Sequence, residues 1–185
     1  MKGSAFATWV TAAGLAAALS ACTDTHPVNE TPSRPEQRVE AAAPHPTAQP
    51  TVSVAIAGRM FTLEVAGDQR TQTRGLGGRT FIDAHGGMLF AYRKSRELAM
   101  VMRDCPIAID VAFLDDEGRV LALHAMRPEL PRQPSESHFQ YEARLPAYSS
   151  GAPARFAVEV AGGRLLELGV AVGDRLVAPW REILE

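Results

Sequence analysis

The chain has 185 residues with a formal net charge of −2, 22% charged residues and 46% hydrophobic residues. That length holds one domain with extensions. The ordinary composition fits a globular protein, and the near-neutral charge leaves no electrostatic footprint for a nucleic-acid partner.

Residues 1–21 read as a signal peptide. Lys2 gives a positive start and an Ala-rich apolar run follows to Leu19, interrupted by Thr8, Thr11 and Gly14, which argues against a spanning helix. The run ends Leu19-Ser20-Ala21-Cys22, which resembles the lipobox of bacterial lipoprotein precursors. That resemblance implies cleavage before Cys22 and acylation of its sulfur, so the expected partner is a membrane. Each buried methylene of an acyl chain adds about 0.8 kcal/mol to such an anchor. Thr23, not aspartate, follows Cys22, which resembles lipoproteins sent to the outer membrane and implies a periplasm-facing protein of the cell envelope.

Residues 22–50 hold the lipidated cysteine and a linker. Pro27, Pro32, Pro35, Pro44, Pro46 and Pro50 stand among Thr, Glu, Gln and Ala with almost no large apolar side chain. Such a stretch buries too little to offset the entropy of ordering, and as a flexible chain it reaches about 30 Å. His26 and His45 are isolated in it and read as solvated.

A single β-rich domain is expected over residues 51–180, with 181–185 as a tail. Val52, Val54 and Ile56 alternate, Gly58-Arg59 can turn, and Phe61, Leu63 and Val65 alternate back, a first hairpin. Asp68 can cap a short helix over residues 69–76, closed by glycine, with Arg74 and Arg79 flanking its end. Gly86 to Tyr92 reads as a buried strand, residues 93–96 as a polar turn, and 98–102 as a further strand. The clearest hairpin follows. Ile107, Ile109, Val111 and Phe113 alternate with Ala108, Asp110, Ala112 and Leu114, then Asp115-Asp116-Glu117-Gly118 turns into a return strand to Met126.

Register in that hairpin is argued from the apolar face, because a one-residue slip moves every side chain to the other side. Facing Phe113 with Leu121 and Val111 with Leu123 gathers the large apolar residues, makes Asp115 oppose Arg119, and sets Asp110 opposite His124 on the second face. That pair is a candidate binding site. Residues 127–147, polar and rich in proline, read as a long loop. Residues 155–160 form another strand, 162–168 a short helix ended by Gly169, and 172–177 a turn into a last strand. Glu159 reads either as an outward residue or as the buried partner of an arginine. The architecture expected is mainly β, α+β at the margin: a small antiparallel sandwich or partly closed barrel with one or two short helices.

These stretches together resemble domain of unknown function 192, an uncharacterised family. The resemblance rests on Arg74-Gly75-Leu76 with Gly78-Arg79, Gly87-Met88-Leu89-Phe90, Met102 through Asp110-Val111-Ala112-Phe113-Leu114-Asp115, Gly118-Arg119-Val120, residues 155–160, and Val172-Gly173-Asp174-Arg175. It covers nearly all of residues 54–177 in order. It implies a small, jelly-roll-like, often exported domain and no particular activity. The family's aromatic-Trp-Met-Lys-Asn-Thr segment is here Met100-Val101-Met102-Arg103-Asp104-Cys105. Ala108 stands at a proline position, and Ala161-Gly162-Gly163 replaces Asn-Ala-Gly. Met102, Arg103 and Asp104 join Asp110, His124, Arg74 and Arg79 as candidate binding residues, the arginines suiting an anionic group.

With Cys22 lipidated, Cys105 is the one remaining thiol, so no internal disulfide is expected. A nucleophile, base and orienter could be sought in Cys105, His124 and Asp110, with Arg103 or His124 lowering the thiol pKa. His85, His138, Asp110 and His124 lack metal-ligand spacing, so neither a metal nor a cofactor is expected. The leading expectation is a non-catalytic envelope lipoprotein that binds an envelope ligand or protein; the alternative is a hydrolase-type enzyme built around Asp110 and His124.

Overall fold

The computed structural model describes residues 49–183. The signal peptide, Cys22 and nearly all of the proline-rich linker lie outside the described residues.

Six strands form one mixed sheet: β1 (Thr51–Ile56), β2 (Arg59–Ala66), β3 (Met88–Met100), β4 (Ile109–Leu114), β5 (Val120–Met126) and β6 (Tyr148–Ala161). Their order across the sheet is β1-β2-β3-β6-β4-β5. Every neighbouring pair is antiparallel except β2 and β3, which are parallel. The fold is mainly β, as expected, and the sheet is open. The expected last strand is reduced to two isolated bridges, Ala55 with Val177 and Arg119 with Arg175.

Three short helices complete the domain: α1 (Gln69–Arg74), α2 (His138–Arg144) and α3 (Arg164–Glu167). Asp68 caps α1 through a reciprocal capping box with Thr71, which satisfies orphan N–H groups at the helix start. α2 lies inside the stretch read as a loop. Ser137 and Gln140 cap it in the same way. The first hairpin turns at Ala57-Gly58, one residue earlier than expected, with both residues at positive φ, the geometry of a tight two-residue turn.

Both faces of the sheet are covered. On one lie Met88, Phe90, Leu98, Met102, Ile109, Val111 and Phe113. On the other lie Val54, Ile56, Phe61, Leu63, Leu89, Leu114, Phe156, Val158 and Val160. Strand β4 is buried at every residue. This overturns the register expected for the central hairpin, which assumed one wet face. Close to the turn the expectation holds: Leu114 pairs with Val120, and the Asp115 N–H donates to the Arg119 carbonyl at 3.0 Å. A bulge at Leu121 then shifts the pairing, so that Phe113 faces Ala122 and Val111 faces His124.

The expected turn over residues 93–96 is also corrected. Strand β3 runs through it unbroken, and register against β6 jumps from Ala91–Phe156 to Arg96–Ala154. Four residues of β3 thus stand opposite one of β6, which bends the strand and re-aims its side chains.

A cavity over a buried glutamate

The expected pairing of Asp110 with His124 does not form. Partners in an antiparallel ladder share a face, so His124 lies on the face of Val111 and Asp110 on the other. The His124 ring meets Phe113 and Tyr148 edge-on at 5.9 and 5.6 Å, and its Nε2–H donates to the Ser149 carbonyl at 2.8 Å. Asp110, 4% exposed, accepts the Leu165 N–H at 2.9 Å. Gly163, the N-cap of α3, has no side chain to offer, so a carboxylate from the neighbouring strand takes its place at the helix start. The nucleophile, base and orienter arrangement sought in Cys105, His124 and Asp110 is not assembled. Burial, with Glu159 and Asp104 nearby, pushes the Cys105 thiol up to about 11, the opposite of the lowering a reactive thiol needs.

The remaining candidates separate by position. Met102 is core. Arg79 forks onto Glu64 with two contacts of 2.6 Å. Arg103 forks onto Glu142 of α2, and the Tyr141 hydroxyl donates to Asp104 at 3.2 Å while accepting its N–H at 2.9 Å. These bonds clamp the long 127–147 segment against the loop after β3. Among the described residues no three His, Cys, Asp or Glu side chains gather as a metal site.

The sheet does build one site that the sequence left open. Glu159 sits on β6 between Met88 of β3 and Val111 of β4, 6% exposed. It makes no side-chain hydrogen bond or ion pair with any described residue, so neither expectation for it holds. Burial alone pushes its carboxyl up to about 8, because desolvation disfavours the charged form. The protonated form is therefore favoured well above the usual carboxylate range.

Glu159 faces a cavity of about 330 Å³, a size that suits a small ligand. Phe90, Leu76 and Met100 give apolar walls, and Tyr92, Arg96, Arg74, Arg103 and Cys105 add polar ones. Each wall has a local cause. The β3 bulge begins at Tyr92, and the Arg96 guanidinium lies 5.0 Å from the Tyr92 ring centroid. Helix α1 is held to the sheet by Gln72, whose amide donates to the carbonyls of Ala66 and Ala91 at 3.2 and 2.9 Å. Gly75 passes over Phe90 so closely that a Cβ there would lie 3.3 Å from the ring. Of the sequence candidates, the cavity brings together Arg74, Arg103 and Cys105, and leaves out Asp104, Asp110, His124, Met102 and Arg79.

An open, mainly β sheet with both faces covered and a cavity lined by a buried carboxyl defines a small β domain with a ligand-sized recess. The chain belongs to the DUF192 family, described as uncharacterised ACR, whose profile matches residues 52–178. Comparison with curated proteins finds no match. Among solved structures it is similar to a protein of unknown function from Novosphingobium aromaticivorans, with 26% identity and a TM-score of 0.58 over 75% of this chain and 94% of that one. It is also similar to a Sinorhizobium meliloti protein named as a candidate transcription regulator, with 24% identity and a TM-score of 0.59 over 74% of this chain and 99% of that one. The second likeness shows the fold alone.

Proposed function

We propose that this protein is a lipid-anchored cell-envelope protein whose β domain is a non-catalytic binding module, with the Glu159 cavity as its binding site. The observation that carries the reading is a carboxyl on a buried strand, bonded to no described side chain and lining a ligand-sized recess. A carboxyl at the wall of a ligand-sized cavity can meet a polar group of a molecule that enters. The Leu19-Ser20-Ala21-Cys22 sequence supports the anchor, Thr23 supports the outer membrane, and the proline-rich linker supports a domain that reaches into the periplasm.

Thermal shift of the full chain in detergent, against amino acids, short peptides, envelope sugars and anionic metabolites, tests the site. A ligand at one hundred times its Kd stabilises by about 2.7 kcal/mol. The expected result is a shift that disappears in Glu159→Gln and survives in His124→Ala. A shift that survives in Glu159→Gln would overturn the cavity as the site. Fractionation tests the anchor: Cys22→Ser should move the chain from the membrane to the soluble fraction, and retention in the membrane would overturn the lipid anchor.

A further inference from the structure

We infer that the Glu159 cavity takes a small zwitterion, an amino acid or short peptide with a free amino terminus, its ammonium against Glu159 and its carboxylate toward Arg74 and Arg96. The inference rests on the binding reading above and names its ligand class.

The argument is one of charge placement. The acid is on the buried sheet, 94% withdrawn from solvent, and no described residue offers it a donor. The cations that line the same cavity come from elements around it: Arg74 from the end of α1, Arg96 from the exposed part of β3, and Arg103 from the following loop. Arg103 is occupied by Glu142. Arg74 and Arg96 have no carboxylate partner among the described residues, and both are exposed. The recess is therefore acidic within and basic without. A molecule with only an anionic group satisfies the arginines and leaves Glu159 unpaired. A molecule with only an amine satisfies Glu159 but must pass two guanidinium groups that no carboxylate neutralises, Arg74 meeting only the Gln49 amide and Arg96 the Tyr92 ring. A zwitterion meets both ends.

The walls agree. Phe90 and Tyr92 supply aromatic surface, which attracts an ammonium through the ring quadrupole, while Leu76 and Met100 supply apolar surface for a side chain. The titratable and charged groups that line the cavity with Glu159 are Tyr92 and Arg96 from β3, Arg74 from α1, and Arg103 and Cys105 from the loop after β3; on β4 its partner is the apolar Val111, whose own partner on β5 is His124. Because Glu159 is protonated below about 8, an arriving ammonium displaces that proton to solvent and leaves a carboxylate–ammonium pair. Charge balances: the carboxyl loses one proton and the ligand keeps all of its own.

Calorimetry on the full chain in detergent decides this. The probes are alanine, alanyl-alanine and trialanine, with N-acetyl-alanyl-alanine, alanyl-alanine amide and glucose as comparisons. At least one of the three zwitterions should bind. N-acetylation should weaken alanyl-alanine about ten-fold or more, a loss of about 1.4 kcal/mol, and amidation should weaken it too. At pH 6.5, binding in two buffers of different ionisation enthalpy should show about one proton released per ligand. Glu159→Gln should abolish that release. If glucose or the N-acetyl peptide binds as well as alanyl-alanine and depends on Glu159, the cavity stands as a site and the zwitterion is overturned. If no zwitterion binds, the ligand class is overturned. If the zwitterions bind equally well to Glu159→Gln, both the class and the site fall.

Discussion

The melting temperature of the domain is expected to fall as pH rises from about 5 to about 8, and Glu159→Gln is expected to remove most of that slope. The folded carboxyl titrates at about 8 against an ordinary value of 4.5. Between those values the folded state holds a proton that the unfolded state has lost. Stability changes with pH as the unfolded minus the folded proton count, so here it declines as pH rises, by about 1.4 kcal/mol per unit at full effect. Below 4.5 both states are protonated and the penalty is absent; above 8 it is complete, at about 4 to 5 kcal/mol. A domain stable by about 5–15 kcal/mol would feel this strongly.

The other carboxyls and the thiol whose titration the fold shifts act outside this window. Arg103 and Arg144 hold the carboxyls of Glu142 and Glu136 below the usual carboxylate value, so what they contribute is lost only under acid. Cys105, pushed up to about 11 from 9.0, costs stability only above about pH 9. Gln has the shape of Glu and the neutral state of its protonated form, so the variant should match the parent near pH 5 and exceed it near pH 8. Thermal melts of both proteins across pH 5–8 read this directly. A variant less stable than the parent at pH 8 would mean that the carboxylate is held by a partner, and the open site would be lost with it.

How far the sequence reached can be judged at particular residues. Asp68 with Thr71, the alternation of residues 52–65, and Gly118 at positive φ were legible because their causes are local: a cap, a period of two, a turn. α2 was equally local, since Ser137 and Gln140 form a capping box, but the surrounding prolines outweighed it. The failures share a non-local cause. Asp110 and Glu159 each sit one residue from apolar neighbours in an alternating strand, and alternation assigns Asp110 to a solvated face and leaves Glu159 either outward or paired with an arginine. That inference requires a sheet with one wet side, and this sheet has none. A warning was present in the unbroken apolar run Met88-Leu89-Phe90-Ala91, since a strand without alternation is buried on both faces, and β6 lies beside it. The bulge at Leu121 carries no sequence mark, and the one over residues 92–95 shows only as the polar stretch read as a turn, because both arise where strands fixed elsewhere must meet.

Gly87→Ala is expected to be the most damaging single-methyl change near the site, at about 3–5 kcal/mol, through overpacking and backbone strain together. Gly87 leads into β3 at φ +147, a conformation that side chains oppose. Its own carbonyl accepts the Glu64 N–H at 3.0 Å, which fixes it to β2. On the other side a Cβ would lie 2.1 Å from the Glu159 carbonyl oxygen and 3.1 Å from Leu63 Cδ2. Leucine can turn aside; the β6 backbone cannot, because it is hydrogen-bonded to both β3 and β4. The methyl must therefore push Glu159 or unpair the centre of the sheet. Gly151→Ala is the control. Gly151 also has positive φ, at +63, but a Cβ there meets nothing within 4 Å, so that variant reports strain alone, about 1 kcal/mol. Denaturant midpoints of the two variants separate the terms. A Gly87→Ala protein no weaker than Gly151→Ala would mean that β6 yields freely at Glu159, and that the position of the buried carboxyl over its cavity is set by something other than the close approach of Gly87.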